Sequence, residues 1–390
     1  MPVNERGTLP TALFAGFAVS AVGGPLALAT LYLPDAVGSR AISSMGLVAL
    51  AGAALFAAPL LIWWRYSAQI ASDGGLYTFV ERAAGRRVAL VQGWIWTLSY
   101  FLYLPFTVTY LVYDQLPQSF PGIVPHQRLL ELALPIAIAG AVVAAERLVF
   151  VLVAAIAVVQ VVLTLVFAWV LVRHAGVHPG AFRLHSNGPS VARGIGNVAL
   201  LFTCASLPLF LGGEVSGGGR TVRRTILAAV VIAAALIVVV AVPMAALGDS
   251  QLAALETPGY TLVKAYEGDG LATVIAAGAA ASVVAVIVAE FVALTRLMHV
   301  MLGVSIARAG RVIAVLFVAG DAISLIAPER LYSYALTPSL VALYLSQAIV
   351  FLVYPRFRGR PSKLEWLAVA TATGLAAFGL EVVISQQPYS

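Results

Sequence analysis

The chain has 390 residues, of which 61% are hydrophobic and only 10% charged, and its mean hydropathy is +0.97. A water-soluble domain carries about 25% charged residues, so the composition excludes a soluble protein and predicts one embedded in a membrane. The net charge of +6 does not indicate nucleic-acid binding, because no basic run is interleaved with aromatic residues. A single cysteine, Cys204, excludes an intrachain disulfide, and no Cys/His spacing indicates a zinc site.

Apolar runs rich in Ala, Val and Leu recur along nearly the whole chain, each about 20 residues long. They predict helices, because the strands of a transmembrane barrel alternate apolar and polar residues over about ten positions. We therefore expect a single domain, an all-α integral membrane protein. The eleven predicted spans are 9–33, 43–64, 88–113, 129–145, 148–172, 195–214, 225–247, 270–300, 312–327, 335–354 and 364–385.

The basic residues predict the orientation of these spans. With the N-terminus in the cytoplasm, the 23 Lys and Arg residues divide 16 to 7 in favour of the cytoplasmic side, with Arg6 among the 16. This division agrees with the positive-inside rule. The odd number of spans then places the C-terminus outside. We expect a multi-pass protein of the cytoplasmic membrane that contacts lipid and is monomeric or weakly homo-oligomeric.

The first and sixth spans are interrupted near their centres, by SAVGGP at positions 20–25 and TCASLP at positions 203–208. Proline removes a backbone donor and paired glycines permit non-helical backbone, so free amide and carbonyl groups are expected at mid-membrane depth. Such groups are tolerated where they are buried in protein or face a water-filled cavity, and in transporters they bind a solute. A packing kink is the alternative, because Gly and Pro are common in membrane helices. Interruptions five spans apart also predict two inverted repeats, about 9–173 and 193–354, with an extra helix at about 364–385.

These interruptions supply candidate ligands for a small solute. Amides and a hydroxyl in span one suit a carboxylate, whereas carbonyls, hydroxyls and a thiol in span six suit an ammonium group. This polarity fits an amino-acid-like zwitterion, with an organic cation or a small polyol as alternatives. The tyrosines of span three either line a cavity or pack between helices. The candidate substrate-binding residues are Ser20, Val22, Gly23, Gly24, Tyr100, Thr203, Cys204, Ala205 and Ser206.

Three stretches of the sequence resemble the amino acid, polyamine and organocation transporter superfamily. The run DGGLYTFVERAAGR at 73–86, followed by Gly93-Trp94, is similar to the family's loop after span two. The run GEV at 213–215 is similar to the family's segment that leads through basic residues into span seven, and Thr295-Arg296 is similar to its signature late in span eight. The resemblance implies the fold of the bacterial leucine transporter, with discontinuous helices 1 and 6, and transport by alternating access.

The chain also departs from the family pattern. Span one has VGGP at positions 22–25 where the family usually has GSGI, and many members have twelve spans. Several proton-coupled members place a lysine in span five, whereas the only lysines here are Lys264 and Lys363. Gln160 is predicted to occupy that position, and a neutral amide cannot carry a proton. Proton symport, sodium symport and exchange therefore all stay open.

Acidic side chains inside spans are functional candidates, because each costs about 2.5–3.5 kcal/mol to insert at the centre of a helix. Glu290, in span eight, is predicted either to carry a coupling proton or recognise a cation, or to be a structural carboxyl. Asp321, in span nine, is expected to be more peripheral. Thr295 and carbonyls of span one are candidate oxygen ligands for sodium. Proton coupling ranks first because Glu290 is available, and no cofactor beyond a coupling ion, and no metal site, is expected.

The sequence favours a secondary transporter over the alternatives. An intramembrane enzyme would need clustered His, Asp and Glu side chains near one face, but only isolated acids occur in the spans, and no nucleophile has a base nearby. A channel, or a substrate sensor that keeps the fold without turnover, is the other alternative.

Overall fold

A computed structural model describes residues 8–385 except 186, 249–251, 253–254 and 256, and describes only the backbone at 329 and 331–333. Arg6, which enters the predicted charge division, lies outside the described residues. Across these ranges the only extended pairing is an isolated parallel bridge between Leu9 and Val215. The α-helices are α1 (Thr11–Ala21), α2 (Pro25–Ala27), α3 (Leu33–Val37), α4 (Met45–Ser67), α5 (Gly75–Ala84), α6 (Arg86–Thr109), α7 (Leu116–Ser119), α8 (Gln127–Ala175), α9 (Gly188–Leu200), α10 (Gly218–Met244), α11 (Pro258–Glu267), α12 (Asp269–Leu302), α13 (Ile306–Ser324), α14 (Pro328–Arg358) and α15 (Lys363–Ser385).

Nine helical stretches within the described part of the chain are long and apolar enough to cross a membrane. The fourth, Pro121–Ala175, contains non-helical backbone at Ala145, with φ −145° and ψ 45°, close to the predicted junction of spans four and five. Predicted span nine is occupied by α13, which has 19 residues and is not among the nine. The predicted all-α membrane fold is confirmed, whereas the count of eleven and the division into two repeats stay predictions.

Large apolar side chains cover the outside of the helices as well as the core. Val158 and Trp169 on α8 are 65% and 66% exposed, and Val315 on α13 is 69% exposed. Extended apolar surface of this kind is unfavourable in water, whereas hydrocarbon chains solvate it. The chain is therefore a multi-pass membrane protein.

The interruption of span one lies where the sequence predicts it. Helix α1 ends at Ala21, and Gly23 and Gly24 then adopt φ angles of 115° and 67°, which glycine reaches without a Cβ clash. The helix resumes at Pro25, whose missing N–H removes no hydrogen bond at a first helical position. It continues through a π-helical turn, Leu28–Tyr32, into α3.

Span six changes its helix type near its centre. Helix α9 ends at Leu200, and after two turn residues the chain continues as a 3₁₀ helix from Thr203 to Leu211. A 3₁₀ segment of this length is uncommon, because its hydrogen bonds are less favourable than those of an α-helix. Both this segment and α2 pack against α12. The two interruptions and α12 therefore surround one central region.

Candidate functional site

A cavity of about 440 Å³ lies between the two interrupted helices. At one end its lining includes Asp35, which is exposed, and Asn197, which is half-buried. Its deeper lining includes Tyr100, which is 1% exposed. The cavity is thus open toward the end of the helix bundle that carries Asp35, hereafter the Asp35 end.

The cavity wall combines phenols with aliphatic side chains. Tyr32, Tyr100, Tyr103 and Tyr344 line it, together with aliphatic residues from several helices. The Tyr100 hydroxyl is buried beside the Cys204 thiol. Tyr100 was predicted as a wall residue, whereas Tyr32 and Tyr344 were not, because the spacing of aromatic residues along a helix does not show which way each one faces.

Four of the nine predicted substrate-binding residues line the cavity. The other five are buried behind the wall. They are Gly23, Tyr100, Thr203 and Cys204 in the wall, and Ser20, Val22, Gly24, Ala205 and Ser206 behind it.

The two predicted serine hydroxyls fix the interruptions to neighbouring helices. The Ser20 hydroxyl donates to the Val153 carbonyl at 3.3 Å and accepts from Gln160 Nε2 at 3.3 Å. The Ser206 hydroxyl donates to the Thr203 carbonyl at 3.1 Å and accepts from Gln347 Nε2 at 3.3 Å. In this conformation both hydroxyls are engaged with protein groups, and their part in binding stays a prediction.

Gln160 lies beside the interruption of span one. Besides its bond to Ser20, it places Oε1 3.3 Å from the point where a Cβ on Gly24 would lie. That oxygen has no hydrogen-bond partner in the described part of the structure. The side chain therefore lies against the interruption of span one, and both its equivalence to the family's lysine and its role in coupling stay predictions.

Glu290 lies just below the cavity floor. It is fully buried, and neither carboxyl oxygen has a hydrogen-bond partner among the residues described. It stands seven residues beyond Val283 and four beyond Val286, both of which line the cavity, and this spacing puts all three on one face of α12. Its carboxyl lies near the Cys204 thiol and the Tyr100 phenol, both of which line the cavity.

Two other predicted residues lie away from the cavity. The Thr295 hydroxyl donates to the Phe291 carbonyl of its own helix at 2.9 Å, and its side chain packs beside Gly310 of α13. Asp321 is buried near Glu131, and its carboxyl oxygens have no partner in the described residues. A sodium ligand role for Thr295 stays a prediction, and Asp321 is peripheral to the cavity.

Glu131, which was not predicted as a functional residue, belongs to the same buried polar cluster as Asp321. Its Oε1 accepts hydrogen bonds from the Thr109 hydroxyl at 2.7 Å and from the Ser324 hydroxyl at 2.5 Å. The cluster joins α6, α8 and α13 on the side of α6 that does not face the cavity.

The opposite end of the helix bundle, hereafter the Arg296 end, is closed by an ion-pair network. The Arg296 guanidinium, 2% exposed, donates from Nε and Nη2 to the two Glu214 oxygens at 2.6 and 3.1 Å. The same Nη2 lies 2.7 Å from Glu146 Oε1. One cation thereby joins α12, the end of span six and the kink region of α8. Above the network, Trp96 lies between Tyr100 and Phe210, with ring centroids 4.2 and 4.4 Å away.

The three stretches that carry the family resemblance meet at this closed end. Arg296 of the third stretch binds Glu214 of the second. Asp73 of the first stretch accepts a hydrogen bond from the Gly213 amide at 2.8 Å. Leu9, at the start of the described chain, is bonded through its amide to the Glu214 carbonyl at 2.9 Å. The motifs therefore build the seal below the cavity rather than the cavity itself.

This arrangement defines a class of membrane protein: a transporter with two interrupted helices around a central cavity that is open at one end and sealed at the other. The family model described as amino acid permease matches residues 9–302. The chain belongs to that family. It is thus a transporter and not an enzyme, and no curated protein matches it in sequence.

Solved structures of other transporters share the fold. MhsT in complex with L-phenylalanine is 13% identical with a TM-score of 0.65, covering 95% of this chain and 97% of that one. A mutant of the Eremococcus coleocola manganese transporter is 14% identical with a TM-score of 0.66, covering 97% and 89%. Mhp1, a nucleobase-cation-symport-1 family transporter, is 11% identical with a TM-score of 0.56, covering 100% and 96%. These likenesses establish the leucine-transporter-like fold and leave the substrate and coupling ion to be argued from the site.

Proposed function

We propose that this secondary transporter carries amino acids or related amines across the cytoplasmic membrane, coupled to an ion, with the proton favoured over sodium. The observation that carries the proposal is Glu290, a fully buried carboxyl without a hydrogen-bond partner in the described structure, just below the cavity between the two interrupted helices. An isolated ionised carboxylate in such surroundings is very unfavourable. It is stabilised either by a proton or by the ammonium group of a solute.

Coupling follows from the same electrostatic argument. The cavity is open at the Asp35 end, and Arg296 seals the other end. Closing the cavity over an ionised, unpaired Glu290 would remove water from it and raise its free energy. A proton or an ammonium group on Glu290 removes this penalty, so the loaded transporter can pass to the state that opens at the Arg296 end.

The neighbours support both parts of the proposal. MhsT is described in complex with L-phenylalanine, which favours an amino-acid substrate. A sialic acid symporter, 13% identical with a TM-score of 0.59, is described as Na⁺-coupled, which keeps sodium as the second candidate ion. Exchange is the other candidate mechanism, because Gln160, the residue predicted for the position where several proton-coupled members have a lysine, is neutral and cannot carry a proton.

The decisive experiment measures uptake into liposomes that contain the purified protein. Wild type is tested with amino acids and amines under an imposed pH gradient, then under a sodium gradient, then in counterflow without either. In Glu290→Gln we expect uptake driven by the pH gradient to fall at least about tenfold, while counterflow persists. Asp321→Asn is the matched control, since it removes another buried carboxyl that does not lie at the cavity.

Each result has a distinct meaning. Retention of pH-driven uptake in Glu290→Gln contradicts the proposed proton carrier, and stimulation of wild type by sodium alone selects the sodium mechanism. Activity only in counterflow selects exchange. Absence of saturable counterflow with every compound contradicts amino-acid or amine transport.

The single cysteine offers a test of orientation and of binding. Cys204 lines the cavity, which is open at the Asp35 end. If the N-terminus is cytoplasmic, the Asp35 end faces outside, and a membrane-impermeant maleimide added to whole cells should label Cys204. A transported solute should slow this labelling, and Cys204→Ser should abolish it. Labelling only in inverted vesicles would reverse the proposed topology.

A further inference from the structure

One wall of the cavity comes from the part of the chain that follows residue 302, where the match to the family model ends. We call this the C-terminal wall. It consists of Leu336, Leu340, Leu343 and Tyr344 on α14 and of Val382 and Val383 on α15. Five of its six residues are aliphatic, and the sixth presents an aromatic ring. The helix that the sequence predicted as an addition to the two repeats is thus part of the cavity.

The rest of the cavity has a different chemistry. The two interruptions contribute Gly23, Thr203 and Cys204, and Glu290 lies just below them. The polar groups of the lining lie on the interrupted spans and on α6, which contributes Ser99 and Thr107, whereas the C-terminal wall is apolar apart from the Tyr344 hydroxyl. A solute that satisfies both sides carries its charged groups at one end and a large apolar side chain at the other.

From this arrangement we infer that the transported solutes are amino acids or amines with a large apolar side chain, and that α15 sets the size limit by holding Tyr344 in the C-terminal wall. The inference rests on the proposed function, because it names the substrate class of the same cavity. It assigns specificity to two valines and one tyrosine outside the family match.

The position of Tyr344 depends on the absence of a side chain at Gly379. A Cβ at this glycine of α15 would lie 2.7, 2.8 and 2.9 Å from three carbons of the Tyr344 ring. Real Cβ contacts are longer, so the ring or the helix would have to shift. The ring is 7% exposed and borders the cavity. A methyl group at 379 therefore displaces the ring toward the cavity or moves α15 away.

A second close contact ties α15 to the interrupted helix of span six. A Cβ at Gly196 of α9 would lie 2.3 to 2.8 Å from three carbons of the Phe378 ring. Consecutive residues of α15, 378 and 379, thus contact a helix of the binding site and a residue of the cavity wall. These contacts leave α15 little freedom to absorb an added methyl group, which favours movement of the Tyr344 ring.

The experiment compares Gly379→Ala with Gly374→Ala, five residues earlier on the same helix. An added Cβ at Gly374 meets nothing within 4 Å, so the second variant controls for the change in helix propensity. Inhibition constants against wild-type uptake are measured in proteoliposomes for alanine, valine, leucine, phenylalanine and tryptophan, and for amines of matching size. Stabilisation of the detergent-purified protein against heat by the same compounds gives a readout that does not need transport.

We expect Gly379→Ala to weaken the binding of compounds with the largest side chains about tenfold or more, while the inhibition constant of alanine is unchanged. Gly374→Ala should keep the wild-type order and values. If Gly379→Ala does not fold, Val383→Ala replaces it: this variant widens the wall and should shift the preference toward larger side chains. Ile384→Ala is its control, since Ile384 is 53% exposed and does not line the cavity.

The outcomes separate the inference from the proposed function. The inference is overturned if wild type prefers small or polar solutes, or if Gly379→Ala weakens the binding of compounds of all sizes equally. Neither result contradicts the proposed transport function. If compounds with large apolar side chains stabilise the protein but are not taken up, the proposed transport function is overturned and the inferred class of ligand is upheld. Absence of stabilisation by every large apolar compound overturns the inference.

Discussion

The two ends of the helix bundle are built on opposite principles. At the Arg296 end a buried cation holds two carboxylates, aromatic rings fill the space above them, and backbone hydrogen bonds tie Leu9 to the end of span six. At the Asp35 end the helices separate around a cavity with aliphatic and phenolic walls. One end is held by a buried ion-pair network, whereas the described residues that line the other end form no such network.

This difference shows how one conformation of an alternating-access carrier is held. Hydrogen-bonded ion pairs are lost together when the helices that carry them separate, so the sealed end behaves as a two-state contact. The open end has no comparable network among the described residues that line it. We therefore expect the sealed end to control the equilibrium between conformations, and the open end to control which solute is bound.

Arg296→Ala is expected to have the largest effect. It leaves Glu214 and Glu146 without their shared cation, and breaking a buried ion pair costs about 3–5 kcal/mol. We expect a marked fall in the thermal unfolding midpoint and loss of transport. Arg308→Ala is the control, because Arg308 is exposed and such surface charges contribute about 0–1 kcal/mol.

A compensated variant separates the stability of the network from its function. Arg296→Met combined with Glu214→Gln and Glu146→Gln removes all three charges, and replacements of this kind are often neutral for stability. Its thermal unfolding midpoint should return close to that of wild type, but the Arg296 end should no longer be closed. Cys204 should then be labelled from both sides of the membrane. Similar midpoints for Arg296→Ala and Arg308→Ala would contradict the role given to the sealed end.

The sealed end could be predicted from the sequence better than the open end. Its residues are charged or lie in glycine-containing motifs, and such motifs are conspicuous in a chain that is 61% hydrophobic. The stretches at 73–86, 213–215 and 295–296 were recognised, although their meeting in space was not. Contacts between residues such as Glu214 and Arg296, 82 positions apart, need the fold to be known.

The interruptions of spans one and six could also be predicted, because Gly23, Gly24 and Pro25 have few other uses in the middle of an apolar helix. The direction in which each side chain points could not be predicted. Ser20 and Ser206 are polar residues in the interruptions, yet they face neighbouring helices, whereas the aliphatic Val383 faces the cavity. The rotation of a helix that is apolar all round is set by packing, and the hydrophobic pattern carries no information about it.

Gly24→Ala tests the hinge between the two ends and should have an intermediate effect. Gly24 has φ 67°, and a Cβ there would lie 2.8 Å from Ser282 Cβ of α12. The variant combines backbone strain of about 1–3 kcal/mol with a steric clash against the central helix. We expect a lower unfolding midpoint and strongly reduced uptake.

Gly38→Ala is the matched control for this variant. Gly38 has φ 78°, but an added Cβ meets nothing within 4 Å, so it reports the backbone strain alone. The difference between the two unfolding midpoints measures the clash at the interruption. Equal midpoints and equal uptake would show that close packing of Gly24 against α12 is unimportant.

Asp73→Asn is expected to have the smallest effect and sharpens the electrostatic account of the sealed end. Asp73 lies between α4 and α5, outside the membrane-spanning helices, and its pKa is raised above the usual value for aspartate by burial and by the Glu214 charge. A raised pKa means that the folded protein holds the proton more tightly than the unfolded chain. The stability that Asp73 contributes is therefore fully present below the usual pKa and is lost as the pH rises through the raised pKa.

An asparagine keeps the oxygen that accepts the Gly213 amide hydrogen bond but carries no charge. Asp73→Asn should consequently match wild type at acid pH and be slightly more stable at neutral pH, by less than about 1 kcal/mol. Thermal unfolding midpoints of both proteins across about pH 4 to 8 measure the difference. A variant that is less stable than wild type at neutral pH would show that the Asp73 charge is attracted to Arg296 more strongly than it is repelled by Glu214, and that the sealed end depends on four charged partners rather than three.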